Sequence, residues 1–231
     1  RYEYLVRLPL VESLLKDPED AAVLQALFNI AVACSASLGA VLACYFVGPW
    51  WSVHVAGVVH LLNLYVVWLQ RFVLGLHYAT HRRLFVRTWL GELLNTYFAS
   101  FFLCMFFGVP PGSYELHHIV MHHNENNLAP DDMTATTHLR RDSWWSFWWI
   151  WFNYPILTPM HLVAYAFRKE RYAQGLRLAI FLPGYLALGV SLWFLATPAL
   201  CLYVFLVPFF LTSILLMFGN FSQHIFVNPD D

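Results

Sequence analysis

Residues 21–47 read AAVLQALFNIAVACSASLGAVLACYFV, the turn GPWW follows at 48–51, and SVHVAGVVHLLNLYVVWL fills 52–69. The first run carries Gln25, Asn29 and a few small hydroxyls as its only polar side chains. It is longer than the roughly 20 apolar residues a helix needs to cross a bilayer. The pattern recurs near the other end of the chain, where Leu178–Leu195 and Ala199–Phe218 are separated by Ala196-Thr197-Pro198. Allowing for polar ends, spans are expected at about 21–47, 52–71, 176–195 and 199–219. Pro183 and Pro208 fall inside the last two, which spanning helices tolerate where neighbouring groups take up the freed carbonyls.

Composition points the same way. Of the 231 residues 59% are apolar and 12% charged, with mean hydropathy +0.54, whereas soluble domains run nearer 45–50% and about 25%. That balance excludes disorder. A net charge of -1 offers no basic stripe for phosphates, so nucleic acid is excluded as a partner. The four cysteines, Cys34, Cys44, Cys104 and Cys201, all lie in apolar runs without metal or disulfide spacing.

Two shorter apolar stretches are not expected to cross. Leu93–Phe107 carries Asn95, Thr96 and Ser100 and stops at Gly108-Val109-Pro110-Pro111-Gly112. Trp144–Tyr154 holds five of the ten tryptophans, which suits a helix at the headgroup level. With four spans alone, Arg1, Arg7, Lys16, the arginines from Arg71 to Arg87 and the basic residues from Arg140 to Arg177 fall on one side. These are all 13 basic residues, and neither connecting turn on the other side contains one. The positive-inside rule makes their side cytosolic or stromal. A single all-α membrane domain is expected: four transmembrane helices, interfacial helices, and a histidine-rich cap on the cytosolic face.

Eleven histidines are many for so apolar a chain. His77 and His81 stand four apart at the cytosolic end of the second span, one turn apart on a helical face. Between Tyr114 and Asn124, His117, His118, His122 and His123 fall within seven residues. His118 and His122 repeat the four-residue spacing, and His123 lies about 100° round the helix, placed for a second metal ion. Imidazole suits iron, copper, nickel and zinc, and the absence of cysteine argues against a structural zinc knuckle. His224, in Gln223-His224, returns to the same face after the fourth span. His60 is 17 residues before His77, about 25 Å along a helix, and with Asn63 forms an intramembrane polar patch. His54 near the far interface, His117 outside the matched spacing, His138 in a polar loop and His161 after Pro159 beside the aromatic segment are expected to be bystanders.

A chain with His77-Tyr-Ala-Thr-His81 after its second span, then His118-Ile-Val-Met-His122-His123 some 40 residues on, resembles the integral-membrane fatty acid desaturases. The resemblance runs from about Arg71 to Pro229. It implies a di-iron centre held by His77, His81, His118, His122, His123 and His224, with Asn124, Glu125, Asp131 and Asp132 as candidates to orient the rings. It implies an acyl-chain substrate, dioxygen, and electrons from cytochrome b5 or ferredoxin. The endoplasmic reticulum is the expected membrane, with chloroplast and bacterial inner membranes as alternatives. The family's third histidine box is missing. The chain also begins at Arg1 and ends at Asp231 without obvious terminal elements, so it is expected to be truncated at both ends, to bind iron poorly and to be inactive alone. A hydroxylase or carotenoid ketolase of the same superfamily would carry nearly the same boxes. A haem carrier or a metal transporter would need its ligands near the midplane.

The charge distribution makes a direct prediction. In sealed microsomes, single cysteines at positions 77, 118 and 224 should label from one side and cysteines at positions 50 and 197 from the other. Labels at 77 and 118 on opposite faces would break the single-site reading.

Overall fold

The computed structural model describes residues 9–140, 142–155 and 157–225. The charges at Arg1, Arg7 and Arg141 and the end at 228–231 lie outside them. Every regular element is helical, and the only extended pairing among the described residues is a single bridge between Leu15 and Phe85. Four helices are long and apolar enough to cross a membrane: α1 (Pro18–Val47), α2 (Ser52–His81), α7 (Tyr172–Ala196) and α8 (Pro198–His224). Between them come α3 (89–106), α4 (113–125), α5 (Trp144–Asn153) and α6 (Leu157–Arg168). The fold is thus all-α and membrane-spanning, with four spans where the hydropathy puts them.

The chain forms two compact units, one of Arg1–Phe107 with Gly189–Leu206 and the other of Gly108–Leu188 with Val207–Asp231. In the first, α1 and α2 pack along their length, and polar groups inside the spans find one another. His60 Nδ1 lies 2.7 Å from Ser37 Oγ, Asn63 Nδ2 donates to Ser37 Oγ at 3.0 Å, and Trp68 Nε1 donates to Asn63 Oδ1 at 3.1 Å. In an apolar medium each such group would cost several kcal/mol if left unpaired (about 2–7). The expected polar patch is therefore a hydrogen-bonded seam between two spans. At the end of α2, Arg82 bridges Asp17 and the buried Asp20. The following turn is clamped by Asn95 of α3, whose side chain both accepts from Phe85 N and donates to Phe85 O at 3.0 Å. Thr88 caps α3, accepting from Gly91 N at 3.1 Å.

Among the described residues of the second unit, apolar side chains gather in separate clusters. Leu116, Val120 and Met121 of α4 pack with Leu162, Tyr165 and Ala166 of α6 and Leu178 and Leu182 of α7. Phe147 and Ile150 of α5 pack on Met217 of α8, with Trp151 Nε1 donating to Ser213 Oγ at 3.0 Å. The outer face of α5 leaves Trp144, Trp145, Trp149 and Phe152 exposed, as a headgroup-level aromatic helix requires. Gly108 enters α4's leading turn at φ 74°, and a Cβ there would lie 2.2 Å from the backbone of Pro208 and Phe209. Only glycine meets both conditions.

Gly57 provides the packing test for the first unit. A Cβ on it would stand 2.3 Å from the ring of Tyr203, while one on Gly39 would meet nothing within 4 Å. Gly57→Ala should destabilise the protein in detergent by about 1–3 kcal/mol through overpacking, and Gly39→Ala should be neutral or slightly stabilising. Thermal unfolding of the two variants beside wild type checks this.

Candidate metal centre

The first unit contributes His77 and His81, on the last turn of α2. Both are exposed, with ring centroids 4.7 Å apart and planes at 50°. The four-residue spacing delivers the shared face that helix geometry demands.

The second unit holds the denser cluster, and its local backbone is not α-helical. Residues Leu116–His122 form a π-turn, in which hydrogen bonds close over five residues instead of four. Side chains five apart therefore meet. His117 stacks on His122 at 5.9 Å and 16°, and His118 meets His123 edge-on at 4.6 Å. The four-residue pair expected from the sequence, His118 and His122, stands further off at 6.1 Å. The difference is one of register: a wider turn advances each histidine's partner by one position.

Two nitrogen pairs result. His118 Nε2 and His123 Nε2 are 3.3 Å apart, and His122 Nε2 and His224 Nε2 are 3.1 Å apart. Two lone pairs cannot face each other at that distance unless a proton or a cation lies between. Two imidazoles sharing one metal at about 2.1 Å, at tetrahedral or right angles, hold their nitrogens about 3.0–3.4 Å apart. Both pairs meet that condition, and the donor set is all imidazole, so these residues fit a first-row metal.

His122 is buried and oriented from behind. Its Nδ1 lies 2.7 Å from Asp132 Oδ2, which puts the proton on Nδ1 and leaves the Nε2 lone pair facing His224. Asp132, 2% exposed, has its other oxygen held by Thr134 N and Thr134 Oγ1, both at 2.8 Å. Burial pushes the Asp132 carboxyl upward, but the bond from His122, the nearby His117 and the two Thr134 donors outweigh it and leave it below its ordinary value. Of the four residues proposed from sequence to orient the rings, Asp132 is the one bonded to a candidate ligand. Glu125 takes hydrogen bonds from Tyr165 and Lys169, Asp131 pairs with Arg168, and Asn124 donates to Val120 O.

Sequence reading set His117 aside and did not single out Thr134; the structure places both against the cluster. His117 is 7% exposed and burial holds its imidazole down at about 4. Its Nε2 lies 3.1 Å from Thr134 Oγ1. No periodic signal marks Thr134, since it reads as one hydroxyl in a polar loop. A small cavity of about 30 Å³ adjoins His117, lined among others by Ser113, Tyr154, Phe209 and Thr212. Of the other histidines, His54 faces Tyr203 Oη at 3.2 Å, His60 belongs to the seam in the spans, and His138 and His161 are exposed.

A family model described as fatty acid desaturase matches residues 49–231. No curated protein and no solved structure matches the chain significantly.

The Asp132–His122 contact can be tested on its own. Asp132→Ala should weaken metal binding about 10- to 100-fold, the usual cost of losing a carboxylate behind a ligating imidazole. Asp131→Ala, which loses only ion pairs with the partly exposed Arg168 and Lys169, should change it little. Competition of each purified variant against a chelator of known affinity measures both.

Proposed function

The chain belongs to the fatty acid desaturase family, and on that premise we propose that it is an oxygen-dependent desaturase placing a double bond in a lipid acyl chain. Membership makes it a multi-pass membrane oxidoreductase of the desaturase and hydroxylase superfamily. The proposed reaction takes two hydrogens from adjacent methylene carbons. It consumes one O₂, two electrons and two protons, and it releases two waters with the alkene. The proposed ligands are His77, His81, His118, His122, His123 and His224, holding two irons, with cytochrome b5 or ferredoxin as the electron source.

An alkane C–H bond is neither acidic nor polarised, so no side-chain acid or base can break it, and the irons when bound supply the oxidising power. The protein's own contribution is orientation. Asp132 fixes the tautomer of His122 and aims its Nε2. The π-turn sets His118 and His123 side by side. The apolar spans suit a substrate that partitions into the bilayer. The observation that carries this reading is the pair of close Nε2–Nε2 approaches, His118 with His123 and His122 with His224, in a chain of this family.

Expression of the intact protein in yeast, followed by mass spectrometry of fatty-acid methyl esters, should reveal new unsaturation. The purified protein should carry about two irons. Alanine at any of the six histidines should abolish turnover and lower bound iron without lowering yield, while His54→Ala keeps both. New hydroxyl groups in place of double bonds would overturn desaturation in favour of hydroxylation. Stoichiometric zinc without iron in an active preparation would overturn the di-iron reading.

A further inference from the structure

Behind the histidines of the second unit lies a set of buried bonds that converge on one residue. Thr134 is fully buried, at 0% exposure, and all three of its polar atoms are engaged. Its backbone N donates to Asp132 Oδ1 at 2.8 Å, closing a turn in which an aspartate binds the backbone two residues on. Its Oγ1 donates to the same oxygen at 2.8 Å. With that hydrogen committed, Oγ1 can only accept from His117, whose Nε2 lies 3.1 Å away. Its carbonyl accepts from Asn220 Nδ2 at 3.2 Å. Asn220 stands one helical turn before His224 on α8, while His117 and His122 belong to α4. The loop bearing Thr134 is closed independently by Asn127, which binds Thr136 through both its side-chain nitrogen and oxygen, at 2.9 and 3.0 Å.

We infer that Thr134 is the positioning residue that aligns His122 with His224, tying the two histidine-bearing helices to one buried point. Through Asp132 it sets the rotation of the His122 ring, and through Asn220 it fixes the last turn of α8 and so the approach of His224. Its bond to His117 secures the ring that stacks on His122. A buried hub of this kind replaces the many weak restraints that water-exposed side chains would need, and it has no slack, because each bond is matched to a single partner. The inference rests on the proposal that these histidines hold iron.

The test compares the rate at which iron is lost to excess chelator from wild type, Thr134→Val, Thr134→Ser and Asn220→Ala, all in the full chain in detergent. Gly57→Ala serves as a control that lowers stability in the other unit. Thr134→Val keeps the side-chain volume and removes the hydroxyl, and iron loss should quicken about 10- to 100-fold. Thr134→Ser restores the hydroxyl and should return the rate to within about threefold of wild type. Asn220→Ala should quicken loss while leaving the buried His117 and Asp132 bonds in place, so it remains informative should the valine variant fold poorly. Thermal midpoints are measured alongside. If Gly57→Ala, matched for lost stability, releases iron as fast as Thr134→Val, or if serine fails to rescue, Thr134 is merely structural and the inference is overturned. Wild type without iron in an active preparation would overturn the reading of the site and this inference together. Iron-loaded wild type with an unchanged Thr134→Val would overturn this inference alone.

Discussion

The bond between His122 Nδ1 and Asp132 Oδ2, 2.7 Å long and closed to water, is the constraint on which the histidine cluster rests. An imidazole offers a metal one lone pair from whichever nitrogen lacks a proton, and in a buried position no solvent corrects a wrong choice. A carboxylate behind Nδ1 removes the choice. That carboxylate must itself stay ionised inside the protein, which is costly unless its oxygens are satisfied. The two bonds from Thr134 meet this need for Oδ1, while His122 meets it for Oδ2. The loop at 127–136 therefore supports the histidine cluster.

The π-turn at Leu116–His122 explains why the arrangement of the histidines was only half legible in the sequence. The identity of the histidines was plain, because four of them within seven residues need little further context. Their pairing was not. An α-helical reading joins His118 to His122, whereas the five-residue closure brings His118 to His123 and His117 to His122. The wider turn depends on the cores on either side: Leu116, Val120 and Met121 must face α6 and α7, and an extra residue per turn is what lets these and the histidines keep their separate faces. Propensity carries no trace of such a compromise.

The spans were legible for a different reason. Hydropathy registers where the chain leaves the bilayer, and the four apolar runs correspond to α1, α2, α7 and α8. It does not register where the helix ends. Helix α2 runs on to His81, past the 71 expected from the apolar run, because backbone hydrogen bonds continue until Arg82 turns extended at φ -131°. Helix α8 likewise continues to His224. In both cases the polar last turns carry the histidines, so the extension beyond the apolar limit is what presents them. The choice of Asp132 over Glu125 and Asp131 was invisible, since three carboxylates within eight residues look alike until the loop closes and turns two of them toward Tyr165, Lys169 and Arg168.

Two groups of polar side chains lie in otherwise apolar surroundings, and counting donors against acceptors tells them apart. In the seam between α1 and α2, Trp68 Nε1 donates to Asn63 Oδ1, Asn63 Nδ2 donates to Ser37 Oγ, and Ser37 Oγ donates to Cys34 O at 3.1 Å. The hydroxyl's hydrogen being used, His60 Nδ1 must carry its own proton and donate to Ser37. Every hydrogen in that chain meets an acceptor, and the seam needs nothing further to be stable. The histidine cluster ends instead in contacts between imidazole nitrogens. Asp132 consumes the only proton that neutral His122 has, so its Nε2 presents a bare lone pair to His224. A neutral His224 meets that lone pair with its own Nε2 proton, and a cation shared by the two nitrogens can take that proton's place. The seam offers no such exchange, because its hydrogens end on backbone, amide and hydroxyl oxygens.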